Sequence, residues 1–154
     1  NLQQLSNEQC EALIVLFDHP AEDVLSKLTG LFRDTKVEWL LEHRYILDAY
    51  FDSRIARVRT AQVFFAFEDW KLSQNYPDIA LEYIERTFEL HQQLADSGES
   101  TTPIDTHGMC RMLDELYKQH KCERERVIEL LDAMVKAGIW PAERTLREVQ
   151  AYRD

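Results

Sequence analysis

From Thr35 to Tyr76 the chain contains neither glycine nor proline. A stretch of that kind has no residue suited to tight turns, and strands of any sheet would need turn signals every ten or so positions. Helix is what remains. The complete 154-residue sequence has the same character, with four glycines and four prolines. This excludes a β-sandwich or barrel, and collagen-like or linker-like sequence. A single helix of about forty residues would extend ~60 Å at 1.5 Å per residue, more than a domain of this length offers. A break is therefore predicted near Asp52-Ser53, with Ser53 as its cap.

Apolar residues recur at helical spacing nearly everywhere. Ser6 with Gln9 forms a capping box before Leu13, Leu16 and Phe17. His19-Pro20 restarts the chain into Val24, Leu25, Leu28, Leu31 and Phe32, with Gly30 a weak point. Thr35 with Glu38 reads as a second capping box, followed by Trp39, Leu40, Ile46, Leu47, Tyr50 and Phe51, then Ile55, Val58, Ala61, Phe65 and Trp70. The helix predicted from Pro77 to Ser97 is apolar on more than one side and should be central. Gly98 to Pro103 reads as a loop. Asp105 or Thr106 opens a helix with Met109, Met112, Leu113, Leu116 and Tyr117. The next carries Val127, Leu130, Leu131 and Met134 and stops at Ala137-Gly138, and Pro141 begins the last, to about Tyr152. The reading is all-α with about eight helices in one segment, 1–154, divided into acidic N-terminal helices at 1–53, a hairpin at 54–98 and a further hairpin plus the start of another at 103–154.

With 45% hydrophobic residues the chain can build a core, and 18 basic against 28 acidic residues leave a net charge of −10. A uniformly basic nucleic-acid surface is excluded. The acidity is greatest at the front: four basic residues face ten acidic ones up to Ser53, five face seven from there to Gly98, and nine face eleven beyond it. No run approaches the ~18 apolar residues of a membrane span. Cys10, Cys110 and Cys122 form no C-x-x-C and cannot all pair within the chain, so a reducing, intracellular setting is expected. Beginning at Asn1, the sequence reads as a piece of a longer protein.

Arg86-Thr87-Phe88-Glu89-Leu90 aligns with Arg126-Val127-Ile128-Glu129-Leu130 at an offset of 40, which also places Leu94 on Met134 and Gly98 on Gly138. A proline and a new helix follow each glycine, at Pro103 and Pro141. The stretch Ile128 to Pro141, "IELLDAMVKAGIWP", resembles the end of the second helix in pentatricopeptide repeats, relatives of the tetratricopeptide repeats. Thr106 and Thr145 stand where such repeats carry an early threonine. The likeness covers mainly residues 103–152 and fades to a generic hairpin from Thr60 to Gly98. It implies a right-handed array of antiparallel helical hairpins, an α-solenoid segment. It also implies a role in organellar, mitochondrial RNA processing, stability or translation, with single-stranded RNA and adjacent repeats as partners. The RNA-facing positions by this alignment are His107 or Gly108, then Ala142 and Arg147. The 39 residues from Thr106 to Thr145 exceed the family's unit, and neither glycine nor alanine can hydrogen-bond a base edge through its side chain.

Other constellations point to no chemistry. His107, Cys110, His120 and Cys122 are metal-capable, but on one helix His107 and His120 would sit ~20 Å apart along the axis, too far for a tetrahedral site. The usual hydrolase, nucleotide-binding and zinc-protease motifs are absent, as is Glu-x-x-His. No enzyme, metal or cofactor is expected. Arg44, Arg54, Arg57 and Arg59 form a candidate basic contact patch, with a solvated, salt-bridged face as the plainer reading. Trp140, in the turn between Gly138 and Pro141, should meet solvent or a following repeat. With Leu146, Val149 and Tyr152 it forms a candidate interface, expected to be bare and sticky because the last helix would lack a partner. Two functions compete: a non-enzymatic RNA-binding module of pentatricopeptide type, and an acidic tetratricopeptide-like protein scaffold. RNA binding by this chain alone should be weak given its charge. Gly138→Val should destabilise, while Gly108→Ala should not.

Overall fold

The structure is a computed structural model that describes residues 1–98 and 106–154, with only the backbone described at 59–62. Arg59, Thr60, Ala61, Pro103, Asp105 and the predicted loop beyond Gly98 lie outside what it describes in side-chain detail. Among the described residues there are ten α-helices, two 3-10 turns and no strand. The all-α expectation holds. Asn1–Trp70 form one compact unit, and residues 71–98 with 106–154 another.

The first unit holds a 3-10 turn (Leu2–Gln4), α1 (Asn7–Leu16), α2 (Glu22–Arg33), α3 (Val37–Glu42), α4 (Arg44–Asp52) and α5 (Arg54–Asp69). Ser6 and Gln9 close the expected capping box. The long α5 lies along α2 and α4, so the stretch predicted to open a hairpin of its own at residue 54 belongs with the front helices. Phe17, Phe32 and Tyr50 meet at the centre, with ring centroids 5.3 to 6.2 Å apart. The break at Ser53 is present, but its side chain caps nothing. Asp18 performs that task instead: its Oδ1 accepts the Arg54 backbone N–H at 2.9 Å, while the Phe17 carbonyl accepts that of Ile55.

Two further breaks raise the helix number above eight. At His43 the backbone leaves helical values (φ −120°), and the imidazole Nδ1 donates to the Trp39 carbonyl at 2.7 Å while its ring stacks on that indole. A side chain that takes a carbonyl four residues back competes with helix continuation. Lys71 adopts a left-handed conformation (φ 51°) between α5 and α6 (Leu72–Asn75), a cost of ~1–2 kcal/mol for a non-glycine residue. The Thr35–Glu38 capping box does not form. Helix α3 starts at Val37 after Lys36, and Thr35 is buried and bonded elsewhere.

The second unit contains α6, α7 (Pro77–Ser97), α8 (Thr106–Gln119), a 3-10 turn (Lys121–Glu123), α9 (Arg124–Lys136) and α10 (Trp140–Ala151). Helix α7 buries residues on several faces, among them Leu81, Tyr83, Ile84, Phe88 and Leu94, and packs on α6, α8 and α9. Helix α8 touches four helices: α6, α7, α9 and α10. Both α7 and α9 stop at a left-handed glycine, Gly98 (φ 70°) and Gly138 (φ 84°). After α9 the Gly138 N–H bonds the Val135 carbonyl and the Ile139 N–H bonds that of Met134, each at 3.0 Å. That pair is a Schellman closure, sealed by the apolar Ile139 and Met134.

Gly138→Val is therefore expected to lower the melting temperature of this unit. Nothing lies within 4 Å of an added Cβ, so the cost is conformational, ~1 kcal/mol or more, or ~4–8 °C in a unit of this size. Gly108 is buried in α8 and makes a poor neutral control. Gly30, exposed in α2 with open space around it, is better: Gly30→Ala should raise the melting temperature through helix propensity. A circular dichroism melt that Gly138→Val leaves unchanged or raises would mean that α9 does not end at this left-handed glycine.

Candidate ligand groove

Helices α8 and α10 present facing stripes at helical spacing. On α8 these are His107, Cys110, Arg111 and Asp114, with Glu115 beside them; on α10 they are Trp140, Pro141, Arg144, Thr145 and Glu148. Between them runs a groove of about 410 Å³. Trp140 follows the Schellman turn, which buries Ile139, and the residue is 71% exposed. The His107 ring meets it edge to face, with centroids 5.3 Å apart. Two guanidinium groups, Arg111 and Arg144, share the groove with three carboxylates. Arg144 Nε donates to Glu148 at 2.9 Å, and Lys118 Nζ lies 3.0 Å from Asp114 Oδ2.

The structure treats the sequence candidates unequally. His107 is exposed in the groove, and Arg147 is exposed on α10 outside its lining. Gly108 and Ala142 are buried, so neither faces a ligand. In the candidate basic contact patch, Arg54 donates through Nη1 to the His19 carbonyl at 3.0 Å, which makes it a clamp on the α1–α2 connection. Arg44 is half-buried and Arg57 exposed, while Arg59 falls outside the described side chains.

Of the candidate C-terminal interface, Trp140 is exposed while the other three residues are covered to differing degrees. Helix α10 folds onto both α8 and α9, and Val149 is fully buried. Leu146 and Tyr152 are half-buried. Tyr152 meets the Tyr117 ring edge to face and lies beneath Lys118 and Arg124. Arg124 also donates through Nε to the Tyr117 carbonyl and grips both Asp154 oxygens, at 3.1 and 2.6 Å. The hydrogen bond from Arg124 holds the Asp154 carboxyl at about 2, below its ordinary range, with Lys121 adding to the effect.

A second groove, of about 360 Å³, lies between α7 and α9. Phe88, Leu130 and Ala133 line it together with Glu85, Glu89, Gln92, Arg126 and Glu129. Arg126 binds Glu85 at 3.2 Å, Glu123 at 3.4 Å and Asp78 at 3.7 Å. A hydrogen bond with Asp78, followed by burial, pushes the Glu123 carboxyl above its usual range.

His120 Nε2 donates to the Ser73 carbonyl at 2.8 Å, Cys110 is buried and Cys122 exposed. Among the described residues no three metal-capable side chains gather, and no helix is long and apolar enough to cross a membrane. Arg111 and Arg144 escaped the sequence reading. Their only signal is local spacing, Arg111 four residues after His107 and Arg144 four after Trp140. Comparison with known proteins finds no family model, curated protein or solved structure that matches this chain.

Proposed function

We propose that this chain is a non-enzymatic binding module made of helical repeats of pentatricopeptide type, its hairpins forming a right-handed antiparallel array. On this reading α8 and α9 make one repeat, α10 opens the next, and the α8/α10 groove receives single-stranded RNA. The matched glycine stops of α7 and α9, 40 positions apart in sequence, support the repeat. One observation carries the ligand: Trp140, 71% exposed, in a groove that also holds Arg111 and Arg144. Aromatic faces and guanidinium groups are the usual means of holding unpaired bases and their phosphates. By resemblance the parent protein acts in mitochondrial RNA processing, stability or translation.

The second reading, a protein scaffold, is favoured by the α7/α9 groove. Its apolar floor and the walls Glu85, Glu89 and Glu129 suit a basic helical segment, in keeping with the net charge of −10. Amide and indole NMR spectra recorded with a uridine-rich single-stranded RNA, and separately with a lysine-leucine amphipathic peptide, distinguish the two. RNA should shift Trp140 Nε1 and its neighbours on α8 and α10, with a dissociation constant of ~1–100 μM, the range of non-specific binding. Shifts confined to α7 and α9 with the peptide, and none with RNA, would replace the first reading by the second.

A further inference from the structure

Resting on the scaffold reading of the α7/α9 groove, and independently of what α8 and α10 hold, we infer that this groove docks two turns of a basic amphipathic helix from another protein. The occupant's lysine or arginine side chains meet Glu89 and Glu129, and its apolar ridge meets Phe88 and Leu130. The α7 wall is Glu85, Phe88, Glu89 and Gln92, and a stripe of the same spacing on α9, from Arg126 to Ala133, faces it. Positions i, i+3, i+4 and i+7 share one helix face. Such a stripe rises ~10 Å, or two turns, and a docked helix supplies a ridge of matching period.

The charges in the groove are not equally available to a partner. Arg126 is committed within the chain, its guanidinium surrounded by Glu85 at 3.2 Å, Glu123 at 3.4 Å and Asp78 at 3.7 Å. Glu89 and Glu129 are exposed, and among the described residues neither enters a hydrogen bond or an ion pair. Their uncompensated charge favours a cation and repels an anion. The helices around them have the same sign or none: α7 carries five Asp and Glu against one Arg, and α9 three of each charge. Exposed ion pairs are individually weak. The apolar floor of Phe88, Leu130 and Ala133 therefore selects an amphipathic helix over a scattered run of lysines.

The test is fluorescence anisotropy of the whole chain with a fluorescein-labelled amphipathic peptide of leucine and lysine, about fourteen residues or ~21 Å of helix. A leucine-glutamate peptide of the same pattern should bind about fivefold more weakly or worse, because like charges then face each other. Glu89→Lys combined with Glu129→Lys should weaken the lysine peptide by about fivefold or more, as two attractions become repulsions. Asp96→Lys combined with Glu125→Lys changes the net charge equally on the same two helices, at exposed positions outside the groove. Screening should hold its effect to about twofold. Circular dichroism checks that both double variants fold, and the two-peptide comparison needs no variant. A glutamate peptide that binds as tightly as the lysine peptide overturns the inference and leaves the scaffold reading standing. So does a Glu89 and Glu129 reversal that weakens binding no more than the Asp96 and Glu125 reversal. If neither peptide binds, the scaffold reading of this groove falls as well.

Discussion

Phe32→Ala is expected to cost the first unit ~3–5 kcal/mol, the range for truncating a buried aromatic side chain. Phe32 is 1% exposed, lying 6.2 Å from Phe17 and 5.3 Å edge-on from Tyr50. Its removal leaves a cavity among helices α1, α2 and α4 and breaks two ring contacts, which add ~0.5–1.5 kcal/mol each beyond area burial. Against a total stability of ~5–15 kcal/mol the variant should unfold at markedly lower urea. Phe65→Ala provides the comparison. That ring lies on the outer side of α5 at 49% exposure, and its loss should change stability by no more than ~0.5 kcal/mol. Urea midpoints that place the two variants together would show that the triad is not the unit's centre.

Phe17, Phe32 and Tyr50 were legible as core because each sits in an apolar stripe whose period is set locally. The same holds for the Ser6–Gln9 box and the glycine stops at Gly98 and Gly138, in which every partner lies within a few residues. What escaped depends on distant partners. Ser53 looks like a cap, but the α5 amides are met by Asp18 and Phe17, some thirty-six residues away. Nothing in the composition around Lys71 marks a left-handed residue. The groove shows both sides of this. His107 and Trp140 were each singled out, for different reasons, yet their contact requires the chain to pass through the whole of α9 and turn at Gly138. Gly108 and Ala142 were placed by alignment, which carries no information about packing. Both lie on helices crowded by neighbours, α8 among four and α10 between two.

Thr35→Val is expected to destabilise the first unit by ~1–3 kcal/mol, the cost of leaving a buried donor unpartnered. Thr35 is 3% exposed, and its hydroxyl accepts the Leu2 backbone N–H at 3.0 Å while donating to the Leu31 carbonyl at 2.6 Å. Its own carbonyl accepts the Trp70 indole N–H at 2.9 Å. One residue thereby ties the N-terminal turn, the end of α2 and the end of α5 together. Valine keeps the shape and the indole contact but removes the hydroxyl, so the Leu2 N–H is left without its acceptor beneath a fully buried side chain. Thr35→Ser keeps the hydroxyl and loses only a methyl group, ~1 kcal/mol by area. Amide exchange at Leu2 should accelerate strongly in the valine variant and little in the serine variant. The reverse order, with serine the more damaging, would mean that the methyl packing of Thr35 holds this junction and that its hydrogen bonds are incidental.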